Sequence, residues 1–133
     1  MINYEKERNR MVDEQIVSRG VRDPRVLAAM REVPRHEFMP EALRQQAYGD
    51  HAMPIGEGQT ISQPYIVALM TEALGIQPGQ RVLEVGTGSG YQAAVLSAMK
   101  AQVYTIEIMP RLYESASAAL RRTGHPDVAC RLP

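Results

Sequence analysis

Val82-Leu83-Glu84-Val85-Gly86-Thr87-Gly88-Ser89-Gly90 is the stretch whose reading decides the fold. A short β-branched run from Arg81 to Val85 reads as a buried strand and leads into glycines at alternate positions. An apolar helical pattern follows from about Tyr91 to Met99. Strand, glycine loop and helix in that order form a ligand cradle. Glycine lets the backbone turn sharply and lets a ligand approach it closely. The helix N-terminus adds free N–H groups and a partial positive charge suited to a carboxylate or phosphate. No lysine lies in the segment, which argues against a P-loop. A dinucleotide loop wants its third glycine at position 91, where Tyr91 stands, with the glycine one residue early at Gly90. On glycine spacing alone, NAD stays open as an alternative.

Downstream, Gln102 to Ile108 predicts a second strand, and Glu107 stands near its end, 21 positions beyond Gly86. In a βαβ unit that position sets a carboxylate beside a ribose, where it can accept from two hydroxyls. Pro110 to Arg122 predicts a helix whose inner stripe is Leu112, Ala116, Ala119 and Leu120. Gly124-His125-Pro126 then turns the chain into a third strand, Val128 to Leu132, with Cys130 buried in it. Strand–helix–strand–helix–strand argues for a parallel, right-handed α/β sheet.

Upstream the pattern is helical. Between Tyr4 and Ser18, Met11, Val12 and Ile16 share one face, and Gly20 is the stop. Asp23 caps a second helix with Pro24 at its first position, and Val26, Leu27, Met30 and Val33 recur until Pro34. A short helix is expected from Pro40 to Ala47. Gly49 to Gln63 reads as a loop, or a loop with a short strand, around Gly56-Glu57-Gly58-Gln59-Thr60-Ile61-Ser62, a length often functional in compact domains. A helix from Pro64 would bury Ile66, Val67, Met70, Ala73 and Leu74, with Ser62 or a neighbour as its cap.

Composition narrows the function classes. Fifteen basic residues balance 15 acidic ones among 133, and 44% are apolar, enough for a packed core in one domain. No basic run marks a nucleic-acid surface, no apolar stretch approaches a membrane span, and the first 30 residues lack a signal-peptide pattern. One cysteine leaves no intrachain disulfide and no cysteine-cluster metal site. His36, His51 and His125 lack metal-ligand spacing, so no metal is expected. The eight methionines read as gap fillers of core and loops. The expectation is a cytoplasmic protein that meets neither nucleic acid nor membrane.

The Gly-x-Gly-x-Gly spacing preceded by Glu84 resembles motif I of class I methyltransferases, and Glu107 fits it. Two longer blocks carry a narrower resemblance. Pro54-Ile55-Gly56-Glu57-Gly58-Gln59-Thr60-Ile61-Ser62-Gln63-Pro64-Tyr65-Ile66-Val67-Ala68, continuing through Met70-Thr71-Glu72, is similar to the signature of the protein-L-isoaspartate O-methyltransferase family. So is Val82 to Leu96, and upstream Val33-Pro34-Arg35-His36-Glu37-Phe38 and Ala47-Tyr48-Gly49-Asp50 match as well.

That resemblance implies a class I, Rossmann-like α/β methyltransferase fold with an N-terminal helical region. It implies methyl transfer from S-adenosyl-L-methionine to the carboxylate of L-isoaspartyl (or D-aspartyl) residues in damaged proteins, the first step of their repair. Gly86, Thr87, Gly88 and Gly90 would wrap the aminoacyl end of the cofactor with Glu84 beneath, and Glu107 would take the ribose. Ser62 is the residue matching the family's active-site serine, with Gln59, Thr60 and Ile61 shaping the substrate loop. A capping role for Ser62 stays open beside the catalytic one. The family continues past the third strand with an acidic segment that helps hold the adenine. The expectation is therefore a single incomplete domain, residues 1–75 helical with the substrate loop and 76–133 the start of the sheet. A remnant that binds the cofactor without turnover is the alternative.

Overall fold

The computed structural model describes residues 1–133, and its helices start where side chains can cap them. Asn3 Oδ1 accepts from the Lys6 N–H at 3.1 Å and opens α1 (Tyr4–Met11). Asp23 Oδ1 accepts from the Arg25 N–H at 2.9 Å and opens α2 (Pro24–Glu32), with Pro24 at the first position. Helix α1 does not run on to Ser18 as a regular helix. Val12–Ile16 widens into a π turn and Val17–Arg19 tightens into a 3-10 turn before Gly20, at φ 97°, stops the chain. The expected stripe of Met11, Val12 and Ile16 is nevertheless fully buried. The segment expected as a short helix is a 3-10 turn over Glu41–Gln46, preceded by another over Arg35–Phe38. Pro34 and Pro40 break the run between them.

The expected loop holds an antiparallel hairpin, β1 (Met53–Gly56) and β2 (Gln59–Ile61). Its turn residues Glu57 and Gly58 sit at φ 55° and 69°, the left-handed pair that lets the strands twist correctly. Ile55 falls at a register shift between Pro54 and Gly56, and its neighbours show no clean alternation.

Helix α3 (Pro64–Leu74) starts at Gln63, which makes no side-chain cap bond. Ser62 is thus not its cap. The expected buried face is also rotated: Pro64, Val67, Ala68 and Thr71 are inside, while Ile66, Met70, Ala73 and Leu74 are exposed. The small residues Ala68 and Thr71 allow the close approach. Thr71 keeps its hydroxyl satisfied by donating to the Val67 carbonyl at 2.7 Å and accepting from Gln92 Nε2 at 2.9 Å.

Three parallel strands, β3 (Arg81–Val85), β4 (Gln102–Ile106) and β5 (Ala129–Arg131), lie in that order, and α4 (Tyr91–Ala98) and α5 (Pro110–Arg122) connect them. Val103 and Thr105 are buried under the helices. Leu83, Val85 and Tyr104, on the other face, are 65%, 80% and 45% exposed. So β3 is an edge strand with one covered face, and the sequence expectation of a buried strand is corrected. A β-branched run reports strand propensity; it does not report how many faces are covered.

One core of 26 buried residues runs from Met11 to Leu120 and joins the helical half to the sheet. At its centre Arg35 is wholly buried, donating from Nε to the Ala47 carbonyl at 2.6 Å and lying 5.0 Å from the Tyr91 ring centroid. No helix is long and apolar enough to cross a membrane.

Candidate functional site

The glycine loop leaves the end of β3 and is tied down by β4. The Ile106 carbonyl accepts from both Gly86 N–H and Thr87 N–H, at 2.8 and 3.0 Å. Gly86, Gly88 and Gly90 hold φ of 91°, 57° and 90°, so each alternate glycine answers a backbone demand that other residues meet only with strain. At Gly90 a second demand is added, because a Cβ there would stand 3.2 Å from Ala116 Cβ. At Gly86 a Cβ would meet nothing within 4 Å, since that side of the loop opens into a groove.

Glu107, just past β4, is 5% exposed and spans the loop from below. Its Oε1 accepts from Gly88 N–H at 2.8 Å and its Oε2 from Met109 N–H at 2.9 Å. Each oxygen keeps a further lone pair. Glu84 and Thr105 are register neighbours on β3 and β4, and Thr105 Oγ1 donates to Glu84 Oε1 at 2.7 Å. Burial pushes the Glu84 carboxyl up to about 7, with repulsion from Glu107 adding to it and the Thr105 hydrogen bond opposing it. Thr87, 3% exposed, completes the set with its Oγ1 2.6 Å from that of Thr105.

The groove has a volume of about 540 Å³ and runs along β3 toward α3. It brings Thr60, Ile61 and Ser62 together with Glu84, Gly86, Thr87 and Gly88. Gln59, Gly90 and Glu107 stand outside its lining, Gly90 behind the loop and Glu107 beneath it. Ser62 is exposed and free of side-chain capping, so its hydroxyl is available to whatever occupies the groove. Next to it, Gln63 Nε2 donates to Asp50 Oδ1 at 2.8 Å. The forked Arg19 pair on Asp50, with that bond from Gln63, holds the Asp50 carboxyl well below the usual carboxylate range. The hairpin lies against the same loop, with Ile55 Cδ1 3.8 Å from where a Gly88 Cβ would be and Glu57 3.9 Å from Arg111.

A larger hollow of about 1130 Å³ lies against the bare sheet face around Arg81, Leu83 and Tyr104. It is more open and holds none of the glycine loop, so the smaller groove is the site. Thr71, Gln92 and Thr105 belong to the site's frame and were not singled out from sequence. Thr105 alone left a signal, as a polar residue at an inward strand position two before Glu107.

Comparison with known proteins bears on this geometry. The family profile described as protein-L-isoaspartate(D-aspartate) O-methyltransferase matches residues 6–132. The chain is 54% identical over 132 residues to protein-L-isoaspartate O-methyltransferase 1 of Syntrophobacter fumaroxidans, covering 99% of this chain and 62% of that protein. It is 56% identical over 126 residues to the protein-L-isoaspartate O-methyltransferase of Opitutus terrae, covering 95% and 54%. It therefore spans little more than half the length of these relatives. A solved protein-L-isoaspartate O-methyltransferase superposes with a TM-score of 0.77 at 30% identity, over 96% of this chain and 41% of that one. A Plasmodium falciparum structure in complex with S-adenosyl-L-homocysteine shares the fold at 23% identity and a TM-score of 0.78, over 100% and 64%. The fold is the class I, Rossmann-like methyltransferase fold.

Proposed function

Because the chain belongs to the protein-L-isoaspartate(D-aspartate) O-methyltransferase family, we propose that it acts in methyl transfer from S-adenosyl-L-methionine to the carboxylate of isoaspartyl residues in damaged proteins. The observation that carries this reading is the meeting of Ser62 and the glycine loop on one groove. Residues present fit the cofactor. Gly86 opens into free space that a side chain would fill, and the Gly88 N–H rests on the buried Glu107 carboxylate. Gly86, Thr87 and Gly88 would hold its aminoacyl end with Gly90 shaping the loop from behind, Glu84 would face its ammonium group, and Glu107 would use its remaining lone pairs on the ribose.

When bound, S-adenosyl-L-methionine supplies a methyl group already activated by a cationic sulfonium. The attacking carboxylate is ionised at neutral pH, so no general base is needed. What the chain contributes is alignment and partial dehydration of the attacking oxygen. Ser62 donates to that carboxylate; Thr60 and Ile61 shape its approach, and Gln59 supports the hairpin. Isoaspartyl proteins and peptides are the partners of this reading, and the cytoplasm its place.

Cofactor binding without turnover is the second reading. Labelled S-adenosylmethionine with an isoaspartyl peptide, and with the same peptide carrying normal aspartate, separates the two. Ester formation on the isoaspartyl peptide alone supports turnover; tight S-adenosylhomocysteine binding with no ester supports the second reading. Ser62→Ala is expected to cut turnover about tenfold or more while leaving stability within about 0.5 kcal/mol, because the exposed hydroxyl holds nothing else. A loss of stability with turnover intact would sink the assignment of Ser62.

A further inference from the structure

We propose that Thr105 is a positioning residue of the cofactor site, joining Glu84 to the glycine loop through a directed chain of buried hydroxyls. The inference rests on the reading of the groove as an S-adenosylmethionine site. Thr105 is 1% exposed and its hydroxyl has two neighbours, Glu84 Oε1 at 2.7 Å and Thr87 Oγ1 at 2.6 Å. A hydroxyl has one hydrogen to give. When Glu84 is ionised its oxygen only accepts, so Thr105 must donate to it and Thr87 must donate to Thr105. Cys130 Sγ, 3.7 Å from Thr87 Oγ1, is then left to donate at the far end. The order Cys130 to Thr87 to Thr105 to Glu84 is the one arrangement that satisfies every member.

Protonating Glu84 undoes this order. A neutral carboxyl can donate to Thr105, which then turns its own hydrogen to Thr87, and Thr87 must aim at a sulfur, a weak acceptor. One proton on β3 thus reorients a hydroxyl inside the glycine loop. It also removes the negative charge that would face the ammonium group of the cofactor. Thr105 works against that change, because its hydrogen bond favours the ionised form.

The charges around Glu84 leave Thr105 as the opposing influence. Glu107 raises the Glu84 carboxyl. Helix α4 brings only Tyr91, whose phenol burial pushes up to about 12. Helix α3 brings Tyr65 and Glu72, and the Glu72 Oε2 is occupied by the N–H groups of Arg22 and Asp23. Strand β5 brings Cys130 and the exposed Arg131.

The test titrates Glu84 by carboxyl carbon NMR in the full 133-residue protein, as wild type, Thr105→Val and Thr105→Ser. Wild type is expected to titrate near 7, Thr105→Val about one pH unit higher, and Thr105→Ser back near wild type. Thr105→Ala replaces the valine variant if that one does not fold. Calorimetry of S-adenosylhomocysteine against pH is the second arm. Affinity should strengthen as pH rises through the Glu84 midpoint, and that midpoint should move upward with the hydroxyl-free variant. An unmoved midpoint in either arm overturns the role of Thr105. Wild type that binds no S-adenosylhomocysteine at any pH overturns the cofactor reading instead, and the two failures are distinct.

Discussion

Glu84, on β3, and Glu107, just past β4, both lie close to the glycine loop, and the difference in how their charge is satisfied has consequences for stability. Glu107 has backbone N–H groups on both oxygens, whereas Glu84 has a single hydroxyl. The raised Glu84 carboxyl inverts the usual behaviour of an acid in a folded protein. Its ordinary value is 4.5 and its folded value about 7, so between those limits the native state holds a proton that the unfolded chain has lost. Stability therefore falls as pH rises across that window, by about 3 kcal/mol at most, and stays low above it. Glu84→Gln removes the penalty while keeping an acceptor for Thr105. We expect it to be more stable than wild type by about 1–3 kcal/mol at pH 8, and nearly equal to it at pH 4.5. It should bind S-adenosylhomocysteine more weakly at pH 8, since the charge we propose to face the ammonium group is gone. Urea unfolding of both proteins at the two pH values checks this, and equal differences at both would show that Glu84 carries no such penalty.

At the scale of elements, what the sequence revealed and what it hid divide along one line. The glycine loop was legible because its demands are local. Three positive φ angles require glycine at 86, 88 and 90 wherever the loop sits. The caps at Asp23 and the stop at Gly20 were legible for the same reason. The inner face of α3 was not, because it is set by what the helix meets: Ala68 and Thr71 pack inward where larger apolar residues could not come as close. The hairpin was hidden by the irregularity at Ile55, which removes the period-2 signal. The exposed face of β3 was hidden because no residue of a strand records whether a helix lies above it. Gly90 joins both kinds of demand, and so it offers a test. Gly90→Ala adds strain at φ 90° and a contact 3.2 Å from Ala116. A cost of about 1–3 kcal/mol is expected, with cofactor binding lost as the loop shifts. Ala116→Gly in the same chain should return the steric part and leave the backbone part, so partial rescue in thermal unfolding is the expected result. Complete rescue would mean that packing against α5 is the whole reason for the glycine.

For the whole molecule, the bare sheet face must be weighed against how well the rest is packed. The accessible surface is 7319 Å² for 14.8 kDa. A folded monomer of that mass is expected to expose roughly 7000 Å². The excess is a few hundred square ångströms, the size of one apolar patch rather than the mark of a loosely assembled chain. Leu83, Val85 and Tyr104 supply that patch at 65%, 80% and 45% exposure, beside an edge with unpaired N–H and C=O groups. The core from Met11 to Leu120 does not depend on them. The chain should therefore unfold in urea as one cooperative transition while binding an apolar dye in its native state. Leu83→Gln with Tyr104→Gln is expected to reduce dye fluorescence several-fold and to leave the unfolding free energy within about 1 kcal/mol, because half-exposed side chains have little burial to lose. A larger loss of stability would mean that these two side chains are covered in solution, and the edge strand would then have a partner.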